Sequence, residues 1–232
     1  MIRDNLSRIK ERIQAVCSKI NRQPDQITII AVSKSRTADE IKEAVEAGLT
    51  GIGENKVQEA SLKYKLLSAS GLGPSTIKWH MIGHLQTNKA KEAVRIFDLI
   101  HSVDSLRLAR EIDKQAAKIN KIQEVLIEIN TSGEEAKYGL SPRGSIEIIK
   151  EVARLENIRV KGLMTVAPVV EAPDKTRPYF RSLKELLEEI NALRVTPEAI
   201  RILSMGMTDD FETAVEEGAN MLRLGRAIFE KK

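Results

Sequence analysis

The stretch ITIIAVSKSRTADEIKEAVEAGLTGIGEN, residues 27–55, contains one complete unit of the predicted fold. Residues 27–32 form a short, almost wholly apolar run that predicts a buried strand. Thr37 and Glu40 then match the capping box that begins a helix, and a second apolar run follows at 51–53. A strand, a helix and a second strand in this order indicate two parallel strands joined by a helix that covers the sheet.

The same alternation continues along the rest of the chain. Apolar runs predict further strands near residues 77–82, 97–101, 124–129, 159–163, 200–203 and 221–224. Helical patterns lie near residues 2–20, 37–48, 55–67, 87–95, 105–118, 143–155, 175–191 and 209–217. Eight strands in this arrangement favour a closed α/β barrel of the (β/α)8 TIM type over an open sheet. We therefore expect a single barrel domain, residues 1–232, whose extra N-terminal helix completes the outer ring of helices.

Composition restricts the class of protein. The 37 Lys and Arg residues and 33 Asp and Glu residues are dispersed, and aromatic residues make up only 3%, whereas nucleic-acid surfaces combine basic clusters with aromatics. No stretch approaches the roughly 20 apolar residues that span a bilayer, and charges interrupt the N-terminal region where a signal peptide would lie. The only cysteine, Cys17, excludes an internal disulfide. We expect a cytoplasmic protein that binds neither nucleic acid nor membrane.

Lys34 is the sharpest candidate for chemistry, because it directly follows the first apolar strand. Active sites of such barrels lie at the carboxyl ends of the strands. A lysine that is partly desolvated there would present an uncharged amine able to form an imine. The alternative is a lysine whose stem covers the strand end while its ammonium group stays in water. Position alone favours that alternative.

The loops after the seventh and eighth strands carry a second signal. Ser204 and Gly206 follow strand seven, and Gly225 and Arg226 follow strand eight. Barrels often bind phosphate in these two loops, where glycine lets backbone N–H groups approach closely. Both glycines could instead be turn residues only. Given a barrel, their placement favours phosphate binding.

Arg223 and the histidines are open to more than one interpretation. Arg223 alternates with two leucines, so it points either inward, under a bound ring, or to a salt bridge at the barrel rim. His80 and His84 have the spacing of metal ligands on a helix, but they flank Gly83 at a strand end. We therefore expect no metal site and assign these histidines to hydrogen bonds that shape the loop. The third histidine is His101.

Eight motifs, in order at the predicted strand ends, resemble one known family over almost the whole chain. They are AVSK (31–34), GEN (53–55), WHMIGHLQ (79–86), HSVD (101–104), KYG (137–139), GLMT (162–165), SMGMTDDF (204–211) and RLGRAIF (223–229). The family is the pyridoxal phosphate homeostasis proteins, the YggS-like or PROSC-like proteins. The resemblance implies a barrel like the N-terminal domain of alanine racemases, with pyridoxal 5′-phosphate (PLP) as cofactor.

The resemblance also implies roles for individual residues. Lys34 would hold the PLP aldehyde as an internal aldimine, Asn55 would lie near the ring and Arg223 would face the pyridine nitrogen. The phosphate would be held by Ser204, Gly206 and Gly225. Many relatives have threonine at position 226, so no hydroxyl contact is carried over to Arg226. Its backbone N–H could still donate to the phosphate, and its side chain could add positive charge or extend into solvent.

The function that the resemblance implies is intracellular PLP homeostasis, which affects amino-acid and keto-acid balance without robust catalysis. Apo forms of PLP-dependent enzymes are the expected transient partners, and a monomer is expected. The first alternative is a PLP-dependent enzyme resembling an amino-acid racemase, although Tyr64, Tyr138 and Tyr179 do not match the second base of such enzymes. The other alternative is a phosphate-binding barrel enzyme in which Lys34 forms no imine.

Overall fold

The computed structural model describes residues 1–73 and 75–231, and its strands form a closed parallel barrel in the order β1 to β8. Each strand pairs with the next along the chain, and β8 pairs with β1. The strands are β1 (Thr28–Val32), β2 (Gly51–Glu54), β3 (Lys78–Met81), β4 (Leu99–Val103), β5 (Gln123–Glu128), β6 (Ile158–Met164), β7 (Ile202–Ser204) and β8 (Met221–Leu224). The predicted (β/α)8 barrel is therefore confirmed.

Helices surround the barrel. They are α1 (Ile2–Lys19), α2 (Ala38–Glu46), α3 (Val57–Ala69), α4 (Ala90–Ile96), α5 (Leu106–Ala117), α6 (Ser145–Ala153), α7 (Arg177–Ala192), α8 (Phe211–Glu216) and α9 (Arg226–Phe229). The capping box at the start of α2 is confirmed: the Thr37 hydroxyl accepts from the Glu40 N–H at 3.2 Å, and the Glu40 carboxylate accepts from the Thr37 N–H at 2.8 Å. In the part of the chain that the structure describes, no helix is long and apolar enough to cross a membrane.

The N-terminal helix α1 closes the ring of helices, as predicted, and packs against α2, α8 and α9. The Asn5 side-chain amide donates to the carbonyl oxygens of Ile228 and Glu230, both at 3.0 Å, and so caps the end of the chain. The four-residue helix α9 was not predicted from the sequence. A single helical turn is too short to show a periodic apolar pattern in the sequence. It is also unstable by itself, and packing against α1 stabilises it.

The core has two parts. A large cluster of buried apolar residues fills the space between strands and helices, and a smaller one lies inside the barrel. The members of the inner cluster are Ile30, Leu99, Leu126, Met164 and Met221. Side chains alternate along a strand, so residues two positions further along also point inward. Several of those are polar, and they form the floor of the site described next.

Candidate functional site

The end of β7, the end of β8 and the start of the loop after β1 lie side by side on one arc of the barrel rim. The Arg223 N–H donates to the Gly206 carbonyl at 3.0 Å, which places the loop after β7 beside β8. A Cβ built on Gly225 would lie 3.5 Å from the Val32 Cβ, so the end of β8 packs on the end of β1. The parallel register thus brings Gly206, Gly225 and the Lys34 segment together.

Lys34 lies in a turn directly after β1, and its side chain is exposed. It has no hydrogen bond or ion pair with any residue that the structure describes. The exposed side chain is the alternative that position alone favoured, and not the partly desolvated lysine, because the turn carries the side chain beyond the end of the apolar strand. The structure instead presents an amine that solvent and small molecules can reach.

The backbone around Lys34 is held firmly on the Ser33 side. The Ser33 N–H donates to the Gly53 carbonyl of β2 at 2.9 Å, and the Ser33 carbonyl accepts from the Lys63 ammonium group at 2.6 Å. On the other side, Ser35 has a φ of 59°, which only a few per cent of non-glycine residues adopt. A fixed turn of this kind places the exposed amine at a defined point on the rim.

A buried ion pair underlies this turn, and the sequence analysis missed it. Glu54, at the end of β2, is fully buried, and its Oε1 accepts from the Ser33 hydroxyl at 2.5 Å and from the Lys63 ammonium group at 2.6 Å. Lys63 lies on α3 between the buried residues Ala60 and Leu67. A lysine in the apolar stripe of a helix was the available signal for a buried partner.

Asn55 follows Glu54 and is partly exposed at the same rim. Gly83, in the loop after β3, packs directly on the Asn55 backbone: a Cβ at position 83 would lie 2.5 Å from the Asn55 carbonyl oxygen. No larger residue would fit without moving one of the two loops. Asn55 is therefore fixed next to the Lys34 turn by the adjacent β3 loop.

Arg223 points into the barrel, and its side chain is buried. Its Nη1 donates to the Ser204 hydroxyl at 2.7 Å, and its Nη2 donates to the Thr165 carbonyl at 2.8 Å. Burial lowers its pKa to about 10, against the opposing effects of the Glu128 and Asp210 carboxylates. A salt bridge at the rim, the alternative left open by the sequence, is not the arrangement found.

Ser204 lies deeper than the phosphate role implied by the resemblance would suggest. The residue is fully buried, and its hydroxyl contacts Arg223 and the Nδ1 of His101, the latter at 2.9 Å. The strand β7 ends at this residue with its side chain inside the barrel, because the inward direction alternates along the strand. The hydroxyl thus supports Arg223 from below, and the loop beyond it forms the rim.

The two glycines of the rim differ from each other. Gly206 has a φ of 92°, and a Cβ there would lie 2.6 Å from the Ala214 Cβ. Gly225 meets nothing closer than 3.5 Å. Beside it, the Arg226 side chain is exposed and forms an ion pair with the carboxylate of Asp209. The sequence left open whether the Arg226 side chain points to the phosphate site or into solvent. In the structure it lies at the surface, paired with Asp209.

The two motif histidines have different surroundings. His84 shapes the loops as expected: its Nδ1 lies 3.0 Å from the Asp104 carboxylate, and its ring stacks on Tyr138 with 3.7 Å between centroids. The loop assignment was wrong for His80, which lies inside the barrel with its Nδ1 3.0 Å from the Nε2 of His101. Strand β3 extends through His80, so the side chain belongs to the strand and not to the loop.

Glu128 is a further buried residue that the sequence analysis did not identify. It ends β5, and its Oε2 has no hydrogen bond with the residues that the structure describes. Burial and, to a smaller extent, the charge of Asp104 raise its pKa to about 7, against the opposing effect of the positive charge of Arg223. An acidic residue in the apolar run VLIEI, residues 125–129, was the available signal.

The geometry defines a class: a TIM-type barrel with a reachable lysine after β1, glycine loops after β7 and β8, and an inward arginine on β8. Comparison with known sequences agrees with this class. Residues 5–231 match the profile of the family described as "Alanine racemase, N-terminal domain". An alanine racemase structure from Clostridium difficile 630 is similar in fold, with a TM-score of 0.73 and 17% identity, over 100% of this chain and 56% of that chain.

More similar relatives narrow the class. A pyridoxal phosphate homeostasis protein of Aquifex aeolicus is 43% identical over 229 residues, which cover 99% of this chain and 97% of the relative. One of Escherichia coli K12 is 36% identical and covers 98% and 95%. The chain belongs to the pyridoxal phosphate homeostasis protein family. A structure of the Synechococcus elongatus relative PipY with PLP bound is 31% identical, with a TM-score of 0.83, over 99% of this chain and 100% of that chain.

Proposed function

We propose that this protein binds PLP covalently through Lys34, in one barrel domain spanning residues 1–232, and serves in intracellular PLP homeostasis. The observation that carries the proposal is the exposed, unpaired Lys34 amine on the same arc of the rim as the Gly206 and Gly225 loops. PipY, a relative at 31% identity, has been solved with PLP bound. Relatives named for PLP homeostasis cover nearly the whole chain.

The residues present fit the cofactor. PLP supplies an aldehyde that reacts reversibly with an amine, and Lys34 is the amine within reach. Arg223 has five N–H groups, of which two donate to residues that the structure describes, so others are available to a ring nitrogen. Gly206 and Gly225 would hold the phosphate through backbone N–H groups, Asn55 would lie near the ring, and Ser204 would support Arg223. Arg226 would add positive charge only by leaving Asp209.

The side chains favour retention of the cofactor over catalysis. Arginine only donates hydrogen bonds, so Arg223 would keep a ring nitrogen in the accepting, unprotonated form, which withdraws electrons poorly. The tyrosine exposed near the site, Tyr138, is stacked on His84. Tyr64 packs against Trp79, away from the rim. We therefore propose no robust turnover, and nothing in the geometry favours the racemase-like alternative.

Partners and location complete the proposal. An exposed Lys34 would let the bound cofactor be reached by an apo PLP-dependent enzyme, which we propose as the transient partner of a monomeric protein. Cys17 is reduced and buried, which fits a reducing compartment such as the cytoplasm.

Spectroscopy with a matched lysine control tests the proposed function. We expect wild-type protein mixed with PLP to develop a yellow absorption band, and sodium borohydride to fix one PLP on the Lys34 peptide. Lys34→Ala should lose both signals. Lys56→Ala is the control, because Lys56 is also exposed directly after a strand. A fixed adduct at the usual level in Lys34→Ala, or none in the wild type, would contradict the proposal.

A further inference from the structure

Four polar side chains form a hydrogen-bond chain across the interior of the barrel. Arg223 Nη1 lies 2.7 Å from the Ser204 Oγ, and the Ser204 Oγ lies 2.9 Å from the Nδ1 of His101. The Nε2 of His101 lies 3.0 Å from the Nδ1 of His80. The four residues come from β8, β7, β4 and β3, and all are buried. Neither histidine is exposed at the rim, and their hydrogen bonds lead through Ser204 to Arg223.

Donor and acceptor chemistry gives this chain a direction. Arginine can only donate, so the Ser204 oxygen accepts from Arg223. The hydroxyl then has one proton left, and the acceptor in contact with it is the Nδ1 of His101. His101 must then carry its own proton on Nε2 and donate it to the Nδ1 of His80. His80 in turn carries its proton on Nε2.

The opposite direction leaves a group unsatisfied. If His101 donated from Nδ1, the Ser204 oxygen would accept twice, and its own proton would have no acceptor among the residues that the structure describes. A buried donor without a partner costs about 1–3 kcal/mol. The arrangement from Arg223 to His80 leaves only the Nε2–H of His80 without a partner among the described residues, and that atom is not fully buried, so this arrangement is the more stable of the two.

Burial keeps both imidazoles uncharged, as this direction requires. Burial lowers the pKa of His80 to about 4, with the Asp98 carboxylate opposing and the Lys78 ammonium group assisting. The pKa of His101 is held well below its usual range by burial, and by His80 and Arg223. A protonated His101 would present an N–H to Ser204 and a positive charge to Arg223, and both would disturb the chain.

A second contact completes the support of Arg223. Its Nη2 donates to the Thr165 carbonyl, directly after β6, at 2.8 Å. The Thr165 hydroxyl itself donates to the Ile129 carbonyl at 2.7 Å. Two contacts on different nitrogens fix the orientation of a planar guanidinium group. By accepting the hydrogen bond of the Ser204 hydroxyl, His101 keeps the lone pairs of the Ser204 oxygen turned toward Arg223.

We propose that His101 and His80 are positioning residues for Arg223: His101 accepts the hydrogen bond of the Ser204 hydroxyl and donates one to His80, so that the Ser204 oxygen faces Arg223 and holds the guanidinium group in the orientation that receives the ring nitrogen of PLP. The consequence for PLP rests on the function proposed above, whereas the direction of the hydrogen-bond chain does not.

Nitrogen NMR of the full chain without added PLP tests the direction by itself. In protein labelled with nitrogen-15 at histidine, we expect both His80 and His101 to be neutral, with the proton on Nε2, between about pH 6 and 8. Variants His80→Gln and His84→Gln assign the signals. A proton on the Nδ1 of His101, or a charged imidazole at either position, would overturn the proposal even if PLP binds normally.

Paired substitutions of His101 test the consequence for PLP. Asparagine can place an amide oxygen near the position of Nδ1, whereas leucine has similar bulk and no acceptor. We expect His101→Leu to bind PLP about tenfold more weakly, because the Ser204 hydroxyl loses its acceptor and no longer holds Arg223 in place, and His101→Asn to recover most of that loss. Equal affinities for the two variants would overturn the proposal.

Ser204→Ala provides a readout that does not depend on how well His101→Leu folds. Its loss of PLP affinity should match that of His101→Leu. The double variant Ser204→Ala/His101→Leu should lose little more than either single variant, because each substitution interrupts the same series of hydrogen bonds. Losses that simply add would contradict the proposed chain. Absence of any borohydride-fixed PLP in the wild type would instead contradict the proposed function, and the tautomer measurement would still stand.

Discussion

Gly206 and Gly225 show how differently two glycines at one rim depend on lacking a side chain. Gly206 has a φ in the left-handed region, and any Cβ would collide with the Ala214 Cβ at 2.6 Å. Gly225 has a φ of −110°, and a Cβ would be in ordinary contact with Val32. Backbone strain and close packing therefore explain the first glycine, whereas the surrounding protein would tolerate a Cβ at the second.

This difference predicts opposite behaviour of two alanine variants. Gly206→Ala should lower the free energy of unfolding by about 2 kcal/mol or more, because left-handed backbone alone costs an alanine roughly 1–2 kcal/mol and the collision adds to it. Gly225→Ala should change it by less than about 1 kcal/mol. Urea unfolding measures both. Similar losses in the two variants would show that the Gly206 loop can move out of the way.

At the scale of elements, one lysine of α3 connects three parts of the barrel wall. The Lys63 ammonium group bonds the Ser33 carbonyl after β1 and the Glu54 carboxylate at the end of β2. Glu54 is fully buried, and only 12% of the Lys63 side chain is exposed. The helix thus fixes the turn that carries Lys34 through an ion pair that is almost wholly buried.

Removal of this lysine should destabilise the protein strongly. Lys63→Met leaves the Glu54 carboxylate buried without a counter-charge, and the expected loss is roughly 3–5 kcal/mol. The double variant Lys63→Met/Glu54→Gln removes both charges and should recover most of the loss. Thermal and urea unfolding of the two single variants and the double variant give the coupling. A double variant no more stable than Lys63→Met would mean that lost packing, and not the charge, is responsible.

At the scale of the whole molecule, buried groups with opposite pKa shifts make stability depend on pH. The pKa of Glu128 is raised from 4.5 to about 7, so the folded protein binds an extra proton in that interval and loses stability as pH rises through it. The pKa of His80 is lowered from 6.5 to about 4, so the stability that its neutral form provides is lost as pH falls through that interval. The two effects partly cancel in the wild type.

A variant at position 128 separates them. Glu128→Gln lacks the titrating carboxyl group, so its stability relative to wild type should increase as pH rises from about 4.5 to 7 and then level off. The expected gain is on the order of 3 kcal/mol, at about 1.4 kcal/mol for each pKa unit. Urea unfolding at a series of pH values measures the difference. A difference that stays constant with pH would mean that Glu128 is already ionised, or solvated, in the folded protein.

Much of the barrel was determined by the sequence itself. Apolar runs and helical periodicity are local properties, and they located all eight strands within a few residues. The alternation of Arg223 with two leucines likewise placed its side chain on the opposite face of the strand, since strand geometry depends only on neighbours along the chain, but it left open whether that side chain points inward or forms a salt bridge at the rim. The order of the motifs also placed Lys34, Asn55, Gly206 and Gly225 at the carboxyl ends of the strands, because every strand in a parallel barrel runs in the same direction.

Only the tertiary structure decided which of these side chains meet. Ser204 and His101 are 103 residues apart in the chain, and Lys63 reaches the Ser33 carbonyl across 30, so no local pattern connects either pair. Burial likewise cannot be seen in a local sequence pattern. Lys34 is exposed and Glu128 is buried because of how loops and strands pack around them. Hydrogen bonds and pKa shifts depend on distances and desolvation in three dimensions, and these exist only once the barrel has closed.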